Sequence, residues 1–109
     1  MEKEKQKKKV VYKTVVNSSK TSILIGDLAK LIKQSGYDIG QNRLFCWLRE
    51  NGYLIKLGER KNMPTQKSME LGLFEIEQKI IENPNGIKKL VMTPKVTIKG
   101  QMYFCHKFK

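Results

Sequence analysis

The chain has 109 residues, enough for one domain and little more, and carries a formal net charge of +12. The charge is uneven: residues 1–20 hold seven Lys and two Glu, and residues 83–109 hold six Lys and no acid. Two basic ends around a near-neutral middle favour contact with a polyanion. No stretch approaches the ~20 apolar residues of a membrane span, and no apolar run follows the charged start as a secretory signal requires. The expected compartment is the cytoplasm.

In chain order, residues 1–9, MEKEKQKKK, have no apolar residue after Met1 and read as a basic disordered tail or the end of a linker. The folded domain is expected over residues 10–109. VVYKTVV, residues 10–16, is rich in β-branched residues and fits a short strand or an extended lead-in. Asn17, Ser18 and Ser19 break it, and Thr21 or Ser22 is placed to cap a helix beginning near Ile23. Leu24, Ile25, Leu28, Leu31 and Ile32 then recur at helical spacing, with Asp27, Lys30 and Lys33 on the other side. Gly36 suits the position after that helix.

A turn at Asp38 to Gly40 leads into a second helix, from about Gln41 to Asn51, that opens on three polar residues: Gln41, Asn42 and Arg43. Leu44, Phe45, Trp47 and Leu48 form its apolar side, and Gly52 ends it. Two short helices joined in this way read as a helix-turn-helix whose second member enters the major groove. Asn and Gln pair bidentately with adenine and Arg with guanine. Arg49, two turns along, is placed for phosphate. Residues 53–57 fit a short strand with Tyr53 at the rim. A polar loop follows, then a third helix with Pro64 in its first turn and Met69 and Leu71 as anchors.

Residues 73–81 alternate, with Phe74, Ile76, Gln78 and Ile80 on one strand face. Asn83-Pro84-Asn85-Gly86 is a strong turn, and residues 87–96 return as the partner strand, with Pro94 at an edge or near its end. Lys88 and Lys89, just after the turn, are placed to meet phosphate. The last segment, around Met102, Tyr103, Phe104 and Phe108, is read as a helix. The expected fold is therefore α+β and winged helix-turn-helix-like: helices, a two-stranded antiparallel wing, and a C-terminal helix.

Catalytic and metal chemistry find no support. His106 is the one histidine and adjoins Cys105, and Cys46 stands far away. All three are poorly placed to grip one ion. Both cysteines read as free thiols. Asp27, Asp38, Glu50, Glu75 and Glu77 read as solvated charges, with no nucleophile or shared buried face to make them an acid–base pair. The protein is expected to be no enzyme and to use no cofactor.

Three blocks, ILIGDLAKLIKQSGYDIGQNRLFCWLRENGYLI, NMPTQKSMELGLFEI and TPKVTIKGQMYF, resemble the KilAC domain, the C-terminal module of phage antirepressor proteins. The resemblance covers about Val10 to Lys107, with the blocks in the family's order. The family pattern usually has Gly where Ile98 stands. Members usually carry a separate N-terminal domain, which this sequence does not contain. The resemblance implies a phage or prophage regulator in a bacterial host, counteracting a repressor and binding double-stranded DNA. Two partners stay open: operator DNA met through the helix-turn-helix, or the phage repressor itself, bound and inactivated. Neither residues nor resemblance fix the oligomeric state.

Overall fold

In the computed structural model, the described residues are 10–109, with side chains from Thr14 onward. The tail expected at residues 1–9 lies outside them. The order of elements is β1 (Val10–Val16), β2 (Ile23–Leu24), α1 (Ile25–Gln34), α2 (Gln41–Glu50), α3 (Gln66–Glu70), β3 (Phe74–Glu82), β4 (Lys88–Val96) and α4 (Ile98–Lys107). The strands form one sheet in the order β1-β3-β4-β2.

That sheet overturns the winged helix-turn-helix expectation. The class α+β stands, but the β3–β4 hairpin is not a two-stranded wing following the helices. β1, from before the first helix, pairs antiparallel with β3, from Val10 opposite Glu82 to Val16 opposite Gln78. β2 pairs antiparallel with the end of β4, Ile23 opposite Val96 and Leu24 opposite Lys95. The poor alternation of VVYKTVV has a physical source: the register slips between Val11 and Lys13 and again between Thr14 and Val16. Each such irregularity breaks the two-residue period that a strand otherwise shows.

The chain divides into two compact units. One takes the described residues up to Asn17 together with Ile76–Thr93, and the other takes Ser18–Glu75 and Pro94–Lys109. The first holds β1 with the outer lengths of β3 and β4. Its hairpin closes through Asn83, whose N–H donates to Ile87 O at 2.9 Å and whose carbonyl accepts from Gly86 N–H at 2.9 Å. The Asn83 side chain also accepts from the Asn85 and Ile87 N–H groups. Gly86 takes the positive φ of 82° that such a three-residue connection needs, whereas Asn85 does not.

The second unit holds the helices and the core. In α1, Ile25, Leu28, Ala29 and Ile32 are buried, a stripe at helical spacing. α1 begins two residues later than the periodicity implies, because Ile23 and Leu24 go to the sheet. Neither Thr21 nor Ser22 caps it; the N-cap is Leu24, with no side-chain bond. Ser22 Oγ donates instead to Glu75 Oε2, which also accepts from the Ser19 N–H at 3.0 Å, so Glu75 organises the turn before β2. α1 packs on α2, β2 and α4.

In α3 the expected anchors Met69 and Leu71 are exposed, and Ser68 is the buried residue. Pro64 precedes the cap, Thr65, whose Oγ1 accepts from the Ser68 N–H. Ser68 Oγ donates to Tyr53 O at 2.9 Å, tying α3 to the segment after α2. That segment is no strand: it has one bridge, Leu54 to Pro64. Tyr53 is not a rim residue but a core one.

α4 is helical as expected, capped by Thr97, whose Oγ1 accepts from the Gly100 N–H at 3.0 Å and donates to Gly72 O at 2.7 Å. Ile98 is half exposed in the first turn, so a side chain at that position leaves the cap intact. Gly100 is buried so closely on Leu73, just before β3, that a Cβ there would lie 2.1 Å from Leu73 O and 2.8 Å from Val96 Cγ1. At Gly26 a Cβ would meet only the mobile end of the Gln41 side chain, at 2.8 Å. Gly100→Ala is therefore expected to destabilise the domain by about 1–3 kcal/mol or more. Gly26→Ala is expected to cost much less, because Gln41 swings away and the helix gains up to ~1 kcal/mol of propensity. Urea unfolding followed by circular dichroism checks the ranking.

Candidate nucleic-acid interface

The first turn of α2 is set out from the protein by what lies behind it. Leu44 and Leu48 are buried completely, and Phe45 and Trp47 pack on the core from its edge. Trp47 stacks on Tyr53 (ring centroids 5.7 Å, interplanar 16°) and meets Phe104 edge-on at 6.2 Å and Phe108 at 4.7 Å. With this side committed to the core, Gln41, Asn42 and Arg43 are left exposed on one turn. The apolar side therefore lies where the sequence placed it, and Trp47 is a packing residue rather than a free stacking platform.

The N-cap of α2 is Gly40, in an extended conformation (φ −99°, ψ 176°), and has no side chain to accept from the first-turn N–H groups. The first helical bond runs from Leu44 N–H to Gly40 O at 3.0 Å. The positive end of the helix thus opens outward. Lys33, Asp38, Gly40, Gln41, Asn42 and Arg43 line an open concavity of about 500 Å³ there. Within it, Arg43 Nη1 donates to Asp38 O at 3.3 Å, and Lys33 Nζ lies 3.8 Å from the Asp38 carboxylate. Both members of that pair are well exposed, so it is weak and easily exchanged for an incoming anion. Two cations, one carboxylate and a bare helix N-terminus leave a positive site.

Arg49 stands two turns along, partly buried, with Nη1 donating to Asn62 Oδ1 at 2.7 Å. It shares the helix with Gln41, Asn42 and Arg43 but is already engaged. Lys88 and Lys89 are exposed at the start of β4, in the other compact unit. The structure brings the three first-turn residues together and adds Lys33 and Asp38, which sequence reasoning left on a solvated face. Their approach depends on how α1 packs on α2, which periodicity does not reveal. Among the described residues there is no group of three or more His, Cys, Asp or Glu that could hold a metal ion, and no helix is long and apolar enough to cross a membrane. Cys46 and Cys105 are free thiols.

The fold and this surface define a small α+β domain that presents a cationic, hydrogen-bonding helix turn. The chain belongs to the phage antirepressor protein KilAC domain family, whose family model matches residues 2–109. Protein kilA of Escherichia phage P1 is 40% identical over 83 residues, 76% of this chain and 29% of that protein. Antirepressor protein 1 of the same phage is 39% identical over 72 residues, 66% of this chain and 20% of that protein. The SPbeta prophage-derived protein YoqD of Bacillus subtilis (strain 168) is 46% identical over 72 residues, 65% of this chain and 27% of that protein. The chain thus spans less than a third of the length of these relatives. No solved structure matches it.

Behind α2, the Tyr53 hydroxyl lies 2.7 Å from the Tyr103 hydroxyl. Burial, and then this bond, push the Tyr53 phenol up to about 12 from its ordinary 10.0. The unfolded chain gives up the proton nearer 10, so this contribution is complete below that pH and lost as pH rises through 12. Tyr53→Phe is therefore expected to flatten the alkaline limb of the stability profile between about pH 10 and 12, by on the order of 2 kcal/mol. Urea unfolding of both proteins across that range measures it.

Proposed function

We propose that this domain binds double-stranded DNA as part of a phage antirepressor, with the first turn of α2 as its reading surface. The observation that carries the reading is the isolation of Gln41, Asn42 and Arg43 on an uncapped, outward-facing turn while the rest of α2 is committed to the core. The side chains supply base-edge pairing, Asn and Gln to adenine and Arg to guanine. The bare N–H groups and Lys33 supply phosphate contact. Arg49, held by Asn62, turns its remaining donors to phosphate. Lys88 and Lys89 add backbone contacts from the hairpin, giving affinity without sequence information.

A second reading rests on α4, where Ile98 and Met102 are exposed on successive turns, Met102 at 69%. An antirepressor module that occupies the phage repressor itself would use such an apolar strip. A mobility-shift titration on phage operator DNA, with and without repressor, separates the two. On the DNA reading, Arg43→Ala weakens operator binding about 5–150-fold, the equivalent of ~1–3 kcal/mol, and weakens non-specific binding far less. Absence of binding to any duplex at low salt, together with nuclease-resistant co-purification with repressor, would sink the DNA reading and favour the other.

A further inference from the structure

The segment after α2, residues 55–63, was expected to be no more than the end of a short strand and a polar loop. It is a loop closed on itself by backbone hydrogen bonds. Ile55 N–H donates to Met63 O and Asn62 N–H to Ile55 O, both at 2.9 Å. Lys61 N–H reaches Gly58 O at 3.2 Å and Met63 N–H reaches Arg60 O at 3.0 Å. The Leu54–Pro64 bridge closes its base. Asn62, in the left-handed region at φ 71°, presents its side-chain oxygen to Arg49 of α2. The loop is thus tied directly to the helix that carries the reading turn, in the same compact unit.

Its surface chemistry is unusual for a solvent loop. Lys56, Arg60 and Lys61 are exposed and have no ion-pair partner among the described residues, against a single acid, Glu59. Between them Leu57 is 80% exposed, the most exposed large hydrophobic side chain of those described.

We infer that residues 55–63 are a second duplex-DNA contact, in which Lys56, Arg60 and Lys61 sit on phosphates and Leu57 rests against the sugar edge of a groove. This rests on the reading that α2 meets DNA. Spacing favours it: Arg49 is six residues beyond Arg43, roughly 9 Å along the helix axis, less than the ~12 Å width of the major groove. A helix whose first turn reaches bases brings its other end to the groove wall, where the loop meets backbone. A lone apolar side chain among cations of the same loop is too small to anchor a protein interface, which needs a packed central cluster. Cations around an apolar wedge do match the chemistry of a groove edge.

The test is a salt titration of binding to a 30-base-pair random-sequence duplex, comparing wild type, Lys56→Ala/Arg60→Ala/Lys61→Ala, Glu59→Lys and Leu57→Ser. Each neutralised phosphate contributes about 0.9 to the slope of log affinity against log salt. The triple variant is expected to lower the slope by about 2–3, and Glu59→Lys to steepen it by up to about 1, a gain that no folding defect produces. Leu57→Ser is expected to weaken binding several-fold at unchanged slope, since an apolar contact releases no counterion. Wild-type slope and affinity in both charge variants would overturn the loop contact while leaving α2 as the reading element. Failure of the wild-type chain to bind at low salt would overturn both.

Discussion

The domain is organised around the ring of Phe104. It is completely buried and meets Trp47, Tyr53, Phe74 and Tyr103 at centroid distances of 5.1–6.2 Å, three of the four nearly perpendicular. Those rings come from α2, the segment after it, the start of β3 and α4 itself. One side chain therefore fixes the inner face of α2, the path of the chain beyond it and the seat of the C-terminal helix. Each ring buries ~150–250 Å² and prefers edge-on packing, so the cluster supplies direction as well as burial. Gly100 lets it form, because the backbone of α4 lies too close to Leu73 for any side chain.

The consequence for function is subtractive. Once Leu44, Phe45, Trp47 and Leu48 are drawn inward, α2 has one polar side left, and its first turn has no cap to quench the helix dipole. With Trp47 and Phe45 committed to core packing, hydrogen-bonding and cationic side chains are what the first turn presents outward. Arg49 illustrates the economy of the arrangement: its bond to Asn62 makes the helix and the loop after it one element.

Much of this was legible in the sequence. The helical spacing of Leu28, Ile32, Leu44 and Leu48 marked two core-facing helices, and Asn83 to Gly86 marked the hairpin. The resemblance to the KilAC domain was carried by three ordered blocks. The sheet was not legible, for local reasons. β1 pairs with a strand more than sixty residues away and carries two register shifts, so its alternation is broken. β2 is two residues long and continues into α1, so its residues fit the helical period equally well. Tyr53 lies in a connecting segment and Ser68 in a helix of five residues, both too short for periodicity to speak, and Glu75 looked solvated because its partners, Ser19 and Ser22, are far off in sequence. Of the concavity at α2, sequence offered Gln41, Asn42 and Arg43 and left out Lys33 and Asp38, which arrive through helix packing.

In the proposed mode of binding, the first turn of α2 faces the ligand and the ligand is DNA. The most direct measurement is a two-dimensional ¹H–¹⁵N NMR titration of the domain with a short duplex selected from a random-sequence pool. The amides of Gln41, Asn42, Arg43 and Leu44 are expected to shift first and furthest, while those around Ile98 and Met102 stay in place. Perturbation confined to α4, or to the lysine-rich start of the chain, would contradict it.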